Sequence, residues 1–135
     1  ATVCACPTTE ASLGDGCVPS DLLHEAGIPL AIGSDSNVRL DPLEELRELE
    51  LCARRRTLRR DVLPLAALLA AGSAGGARSL ALPEVRLEVG APADLVAVDL
   101  TSEPLAGLDD GELANALVFS GDAGLVTDTW VGGER

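Results

Sequence analysis

The sequence predicts an α/β fold in which parallel strand–helix units precede a small, mainly antiparallel, β-rich appendage. Three observations carry this. The run Leu30-Ala31-Ile32-Gly33-Ser34-Asp35-Ser36 is apolar, then small, then acidic, as in a buried parallel strand that delivers one carboxylate to the open end of a barrel or sheet. Ahead of it, strand, helix and strand signals follow one another within about 30 residues, a βαβ unit that demands a parallel sheet. Beyond Leu82 the texture turns to short alternating runs broken by Gly, Pro and Asp, which sets a boundary near residues 80 to 85.

Each element has its own signal. Ala1 to Cys6 is apolar and stops at Pro7, as a buried strand does. Thr8 to Gly16 is polar and Gly-rich and is expected to be a loop. Pro19 to Ala26 reads as a helix with Ser20 as a cap and Gly27 as the stop. Ile28 to Gly33 is the second strand. Asp41 then caps a helix from Pro42 to about Arg56, with Pro42 in the first position and Glu44 at the capping-box place. Its apolar face takes Leu43, Leu46, Leu49 or Glu50, and Ala53, while Glu50 and Arg54 pair four apart. Asp61 is expected to cap a helix through Ala71, interrupted at Gly72-Ser73 and resumed to Leu80. Gly75-Gly76 fit close backbone packing there, because no strand feeds them as a phosphate loop requires. In the appendage, Val85 to Val89 and Asp94 to Asp99 read as strands, Glu112 to Phe119 as a short helix, and Leu125 to Val131 as a last strand.

The 135 residues carry a formal net charge of -12 at pH 7, and every one of the 10 basic residues is Arg. That balance argues against nucleic acid or an anionic membrane as partner. The arginines between Arg54 and Arg60 read as a solvated helix end. No apolar run is long enough to span a bilayer, and no signal peptide is visible. Four cysteines without secreted-scaffold spacing are expected to be reduced thiols of a cytoplasmic protein, with Cys4 and Cys6 on opposite faces of the first strand. The chain lacks Met and closes on a strand-and-turn pattern, so it is expected to be a piece of a longer protein.

Asp35 is the leading candidate for chemistry. A carboxylate at a strand's carboxyl end can bind a divalent metal and take a proton from water there; the plain alternative is an aspartate bonded to its own loop amides. Glu10, Ser36 and Arg39 are the further candidates, as substrate contacts on the same face. Against this, Glu10 and Asp15 can shape a turn and Arg39 can pair with a neighbouring acid. His24, the one histidine, sits mid-helix before the strand, away from that face. A hydrolytic zinc site needs about three protein ligands, which this chain cannot supply from the right face by itself.

Cys6-Pro7-Thr8-Thr9-Glu10, Leu13-Gly14-Asp15-Gly16, Gly33-Ser34-Asp35-Ser36 and Asp41-Pro42-Leu43-Glu44-Glu45-Leu46-Arg47 together resemble the C-terminal third of metal-dependent amidohydrolases. Gly90-Ala91-Pro92-Ala93-Asp94-Leu95-Val96 and Val131-Gly132-Gly133 are similar to that superfamily's return from barrel to β-sandwich. The loop from Thr8 to Gly16 is most similar to the formimidoylglutamate deiminases of histidine degradation, although Ser12 stands where Asn is expected and Asn37 where His is frequent.

The resemblance implies the last two strand–helix units of a (β/α)8 TIM barrel over residues 1–80 and part of a small β-sandwich over 81–135. It also implies that Asp35 is both a zinc ligand and the catalytic proton carrier, with Zn2+ completed by ligands upstream. The implied reaction is hydrolysis of N-formimidoyl-L-glutamate to N-formyl-L-glutamate and ammonia, with a small-molecule substrate as partner and a homodimer of the full-length protein. Two alternatives stand beside it: another amidohydrolase deaminase of nucleoside or triazine type, and a non-catalytic α/β module.

Overall fold

The computed structural model describes residues 1–83 and 85–135. Strands β1 (Val3–Ala5) and β2 (Leu30–Ile32) pair in parallel, Val3 opposite Leu30 and Ala5 opposite Ile32. Between them lie α1 (Pro7–Leu13) and α2 (Ser20–Glu25). The expected βαβ unit is therefore present, with one correction: the stretch read as a loop is largely the helix α1. Pro7 fits its first turn, where no backbone donor is needed. Glu10 Oε1 accepts the Cys6 N–H at 2.9 Å, and Gly14 closes the helix at φ 75°. The helix escaped notice because it has no apolar stripe; its buried residues are Pro7, Thr8 and Thr9. At α2 the cap position falls to Pro19, and Ser20 is the first helical residue.

The core is built on α3 (Pro42–Thr57), whose Leu46 and Leu49 meet Ala5 and Leu30 of the strands. Asp41 caps α3 as expected, accepting from Leu43 N at 3.0 Å and Glu44 N at 3.3 Å. Glu50 is fully buried beside Leu49. Its carboxylate accepts from Arg54 at 2.7 Å, Val62 N at 3.1 Å and Leu63 N at 2.8 Å, so it holds the turn after α3. The basic stretch is paired rather than merely solvated: Arg54 with Glu50 and Asp61, Arg55 with Glu48, and Arg56 with Asp21.

Helices α4 (Leu65–Gly72) and α5 (Ala74–Ser79) follow, broken at Gly72-Ser73 as the sequence suggests. Asp61 is not their cap. It lies at φ 52°, and Pro64 precedes the first turn of α4. A Cβ on Gly75 would fall 1.9 Å from the Leu30 carbonyl oxygen, so only glycine lets α5 cross β2 this closely.

Further along, β3 (Leu95–Val98) and β4 (Val126–Trp130) pair antiparallel with an irregularity between Ala97 and Val98. The expected strand at Val85–Val89 does not form. Those residues bend and turn in solvent, and no described strand pairs with them; alternation alone does not make a strand without a partner. Helix α6 (Asp110–Ser120) and the turn Ala123–Leu125 lie between β3 and β4. Val118 of α6 joins the core of the first half, where Arg47 Nε donates to its carbonyl at 2.9 Å. The second oxygen of Asp41 accepts the Ala123 N–H at 3.1 Å, so one carboxylate caps α3 and pins the later turn.

Cys17 and Cys52 form a disulfide with Cα atoms 6.0 Å apart, against the expectation of four reduced thiols; Cys4 and Cys6 are free. The partners were not foreseeable as neighbours, since the pairing depends on α1 leading its following loop back to α3. Among the described residues, no helix is long and apolar enough to cross a membrane.

Candidate active site

Gly33 extends the ladder by donating its N–H to Ala5 O at 2.9 Å, and the chain then turns sharply. Asn37 N–H returns to Ser34 O at 2.8 Å while Ser34 Oγ donates to Asn37 Oδ1 at 2.8 Å. Asp35 and Asn37 take left-handed backbone at φ 41° and 55°. Asp and Asn accept that region more readily than other side chains, at some cost. Asp35 is exposed, and no hydrogen bond or ion pair among the described residues engages its carboxylate. The alternative of an aspartate bonded to its own loop amides is not what forms.

The other candidates have protein partners. Glu10 spends Oε1 on the Cys6 N–H, which makes it a helix-start residue as well as a neighbour of the site. Ser36 Oγ lies 3.2 Å from Thr9 Oγ1. Arg39 Nε donates to Glu44 Oε2 at 2.7 Å on the exposed side, which also removes Glu44 from the capping-box role. Glu10, Ser36 and Asp35 thus gather at one end of the strand pair, while Arg39 turns toward the start of α3. His24 is exposed on α2. It lines a cavity of about 320 Å³ with Arg78 and Gly27 at the opposite end of β2 from Asp35.

Two free thiols border the site. A Cβ on Gly33 would lie 3.1 Å from Cys4 Sγ and 3.2 Å from Cys6 Sγ, so both sulfurs are on one side of β1. This corrects the expectation of opposite faces: residues two apart in a strand share a face. Burial pushes the Cys6 thiol up to about 11; the charge and hydrogen bond of Cys4 add to this, and then the Asp35 and Glu10 carboxylates. At neutral pH Cys6 carries its proton.

Residues that sequence reading passed over hold the turn in place. Thr9, 1% exposed, donates from Oγ1 to Ser34 O at 3.1 Å. Glu45, 2% exposed, accepts the Thr8 N–H at 3.0 Å and also the Thr8 hydroxyl. The available signal was the pair of threonines directly before Glu10, hidden by reading the segment as a loop.

An unengaged carboxylate at a strand exit has the donor chemistry of an oxygen ligand to zinc. Asp35 therefore fits a metal as one ligand. Among the described residues no group of three His, Cys, Asp or Glu side chains stands close enough to hold an ion.

The amidohydrolase family pattern matches residues 1–135. The chain belongs to the amidohydrolase family. Its α/β elements are accordingly part of the barrel architecture of that family. Among amidohydrolase relatives, it is 42% identical over 136 residues to a formimidoylglutamate deiminase of Pseudomonas aeruginosa, covering 95% of this chain and 30% of that protein. It is 36% identical over 113 residues to a 5-methylthioadenosine/S-adenosylhomocysteine deaminase of Halobacterium salinarum, covering 82% of this chain and 26% of that one. The crystal structure of an adenosine deaminase from Xanthomonas campestris with bound zinc superposes with a TM-score of 0.89 at 33% identity, covering 98% of this chain and 31% of that one. The chain thus spans about a third or less of the length of these relatives.

Proposed function

We propose that the whole protein is a zinc-dependent deiminase that hydrolyses N-formimidoyl-L-glutamate to N-formyl-L-glutamate and ammonia in histidine breakdown. The observation that carries the substrate is the 42% identity to a formimidoylglutamate deiminase over 95% of the chain. The observation that supports the chemistry is the unengaged Asp35 carboxylate at the exit of β2.

Zinc, when bound, supplies a Lewis acid that polarises the C=N bond and makes water nucleophilic near neutral pH. Asp35 is the residue of this chain that would hold it. Its carboxylate would carry one proton of the attacking water to the imine nitrogen as the C–O bond forms, then the remaining hydroxyl proton to the same nitrogen. The C–N bond thereby breaks, ammonia leaves and the carbon keeps the oxygen as a formyl group. Ser36 and Glu10 border the substrate, and Arg39 suits a carboxylate group once released from Glu44. Cys6, protonated at neutral pH, adds no competing charge beside Asp35. A small molecule fits a chain of formal net charge -12 better than nucleic acid does. A cytoplasmic homodimer completes the proposal.

A second reading has its own support. The 36% identity to a 5-methylthioadenosine/S-adenosylhomocysteine deaminase and the superposition on an adenosine deaminase favour an aminopurine as substrate. Ammonia release by the whole, zinc-loaded protein separates the two, with formimidoylglutamate and 5-methylthioadenosine as parallel substrates and Asp35→Asn as control. Release from the formimidoyl compound alone, abolished in Asp35→Asn, is the expected result. Release from the nucleoside alone moves the protein to the second reading, and release from neither rejects both substrates.

A further inference from the structure

We infer that Thr9 is a positioning residue for Asp35: its buried hydroxyl fixes the turn on both sides of the aspartate. Asp35 and Asn37 occupy left-handed backbone at φ 41° and 55°. Such positions persist only where surrounding contacts over-determine them. Ser34 and Ser36 flank Asp35, and Thr9 touches both. Its Oγ1 donates to Ser34 O at 3.1 Å and lies 3.2 Å from Ser36 Oγ. A hydroxyl has one proton and two lone pairs, so the Thr9 proton goes to the Ser34 carbonyl and the Ser36 hydroxyl donates to Thr9. Both bonds form at once.

The brace is itself anchored. Thr9 is 1% exposed and β-branched, so few rotamers are open to it. The preceding residue, Thr8, is held by Glu45 of α3 through its N–H at 3.0 Å and through its hydroxyl. Among the described residues the Asp35 carboxylate makes no hydrogen bond or ion pair, so its direction follows from the turn, which Thr9 of α1 holds. A metal ligand with no partner to orient it depends on such support from behind. The stretch around Thr9 thus acts through the geometry of Asp35, besides any contact its neighbour Glu10 makes with substrate.

The inference rests on the reading of Asp35 as a zinc ligand, and the test separates the two. The whole protein is loaded with zinc and dialysed against a chelator, and zinc retention, kcat, KM and unfolding temperature are measured. The substrate is whichever of formimidoylglutamate and 5-methylthioadenosine the wild type turns over. Thr9→Val keeps the shape and removes the hydroxyl. It should lower zinc affinity and kcat by roughly 10–100-fold, as loss of an orienting partner does, with KM and unfolding temperature little changed. Thr9→Ser returns the hydroxyl and should recover most of the loss.

If Asp35→Asn loses zinc while Thr9→Val retains wild-type zinc and kcat, the positioning role is overturned and the ligand reading stands. If Asp35→Asn itself keeps zinc and turnover, both fall. Equal losses in Thr9→Val and Thr9→Ser, together with a lowered unfolding temperature, also overturn it. Should Thr9→Val fail to fold, Ser36→Ala decides: a several-fold loss of zinc retention supports the brace, and wild-type retention overturns it.

Discussion

Glu45 Oε2 accepts the backbone N–H of Thr8 at 3.0 Å across 37 residues of sequence, while its other oxygen accepts the Thr8 hydroxyl. The carboxylate is 2% exposed and both oxygens are used, so removing it strands two buried donors. Hydrogen bonds to a charged group contribute more than neutral ones, and an orphaned buried donor costs its full desolvation. Glu45→Ala should therefore destabilise the protein by about 2–3 kcal/mol. Glu45→Gln, which can accept from the N–H and donate to the hydroxyl oxygen, should cost about half as much. Urea unfolding midpoints at constant slope measure both.

Two carboxylates on α3 look alike in sequence and differ in consequence. Glu50 is 0% exposed and serves Arg54, Val62 N and Leu63 N. Glu44 meets Arg39 at the exposed surface. Breaking a buried, hydrogen-bonded pair costs about 3–5 kcal/mol because a charge is left uncompensated. An exposed pair contributes below about 1 kcal/mol and is screened by salt. Glu50→Ala should unfold at much lower denaturant at any ionic strength, whereas Arg39→Ala should shift the midpoint marginally and only in low salt.

What the sequence could tell depends on where each residue's partner lies. The strand that leads into the Asp35 turn, the Asp41 cap and the parallel βαβ unit are short-range patterns, and all three appear where expected. α1 was illegible because its stability comes from Glu45 and from Glu10 folding back on Cys6, not from an apolar stripe. Val85–Val89 erred the other way: alternation without a partner strand leaves Leu87 and Val89 in solvent. The strand-end carboxylate was legible as a type. The exposure of Asp35, its left-handed backbone and the Thr9 brace were not, since each is set by the packing of α1 against the turn.

Gly75 and Gly76 are neighbours in α5 with opposite demands. A Cβ at position 75 would meet the Leu30 carbonyl at 1.9 Å, while one at position 76 meets nothing within 4 Å. Gly75→Ala must therefore push α5 away from β2, with a cost of about 3 kcal/mol or more. Gly76→Ala removes backbone freedom from the unfolded chain at no steric cost and should stabilise by up to about 1 kcal/mol. Thermal unfolding of the two variants should move in opposite directions; a common direction would contradict this packing.

The Cys17–Cys52 disulfide closes a loop of 35 residues between the segment after α1 and the buried side of α3. In the chain-entropy treatment a loop of that length contributes about 4 kcal/mol by restricting the unfolded chain. Cys17 is exposed, so a dithiol reductant can reach the bond without prior unfolding. Adding dithiothreitol should lower the unfolding midpoint of the wild type and leave a Cys17→Ser variant unmoved. Equal midpoints with and without reductant would mean that these two thiols stay unpaired in solution.

Cys6 sets an alkaline limit. Its thiol is raised from 9.0 to about 11, chiefly by burial, then by Cys4 and the nearby carboxylates. An unfolded Cys6 therefore loses its proton first as pH rises, and between these values the unfolded chain binds fewer protons than the folded one. The stability contributed by the neutral thiol is fully present below pH 9 and is lost as pH climbs through 11. The same shift makes the thiolate about a hundredfold scarcer at pH 8 than for an ordinary cysteine. Iodoacetamide should thus label Cys6 slowly at pH 8, with a rate that keeps rising beyond pH 10. Because the Asp35 and Glu10 carboxylates contribute to the shift, Asp35→Asn should bring that rise to slightly lower pH, a direction that burial alone does not produce.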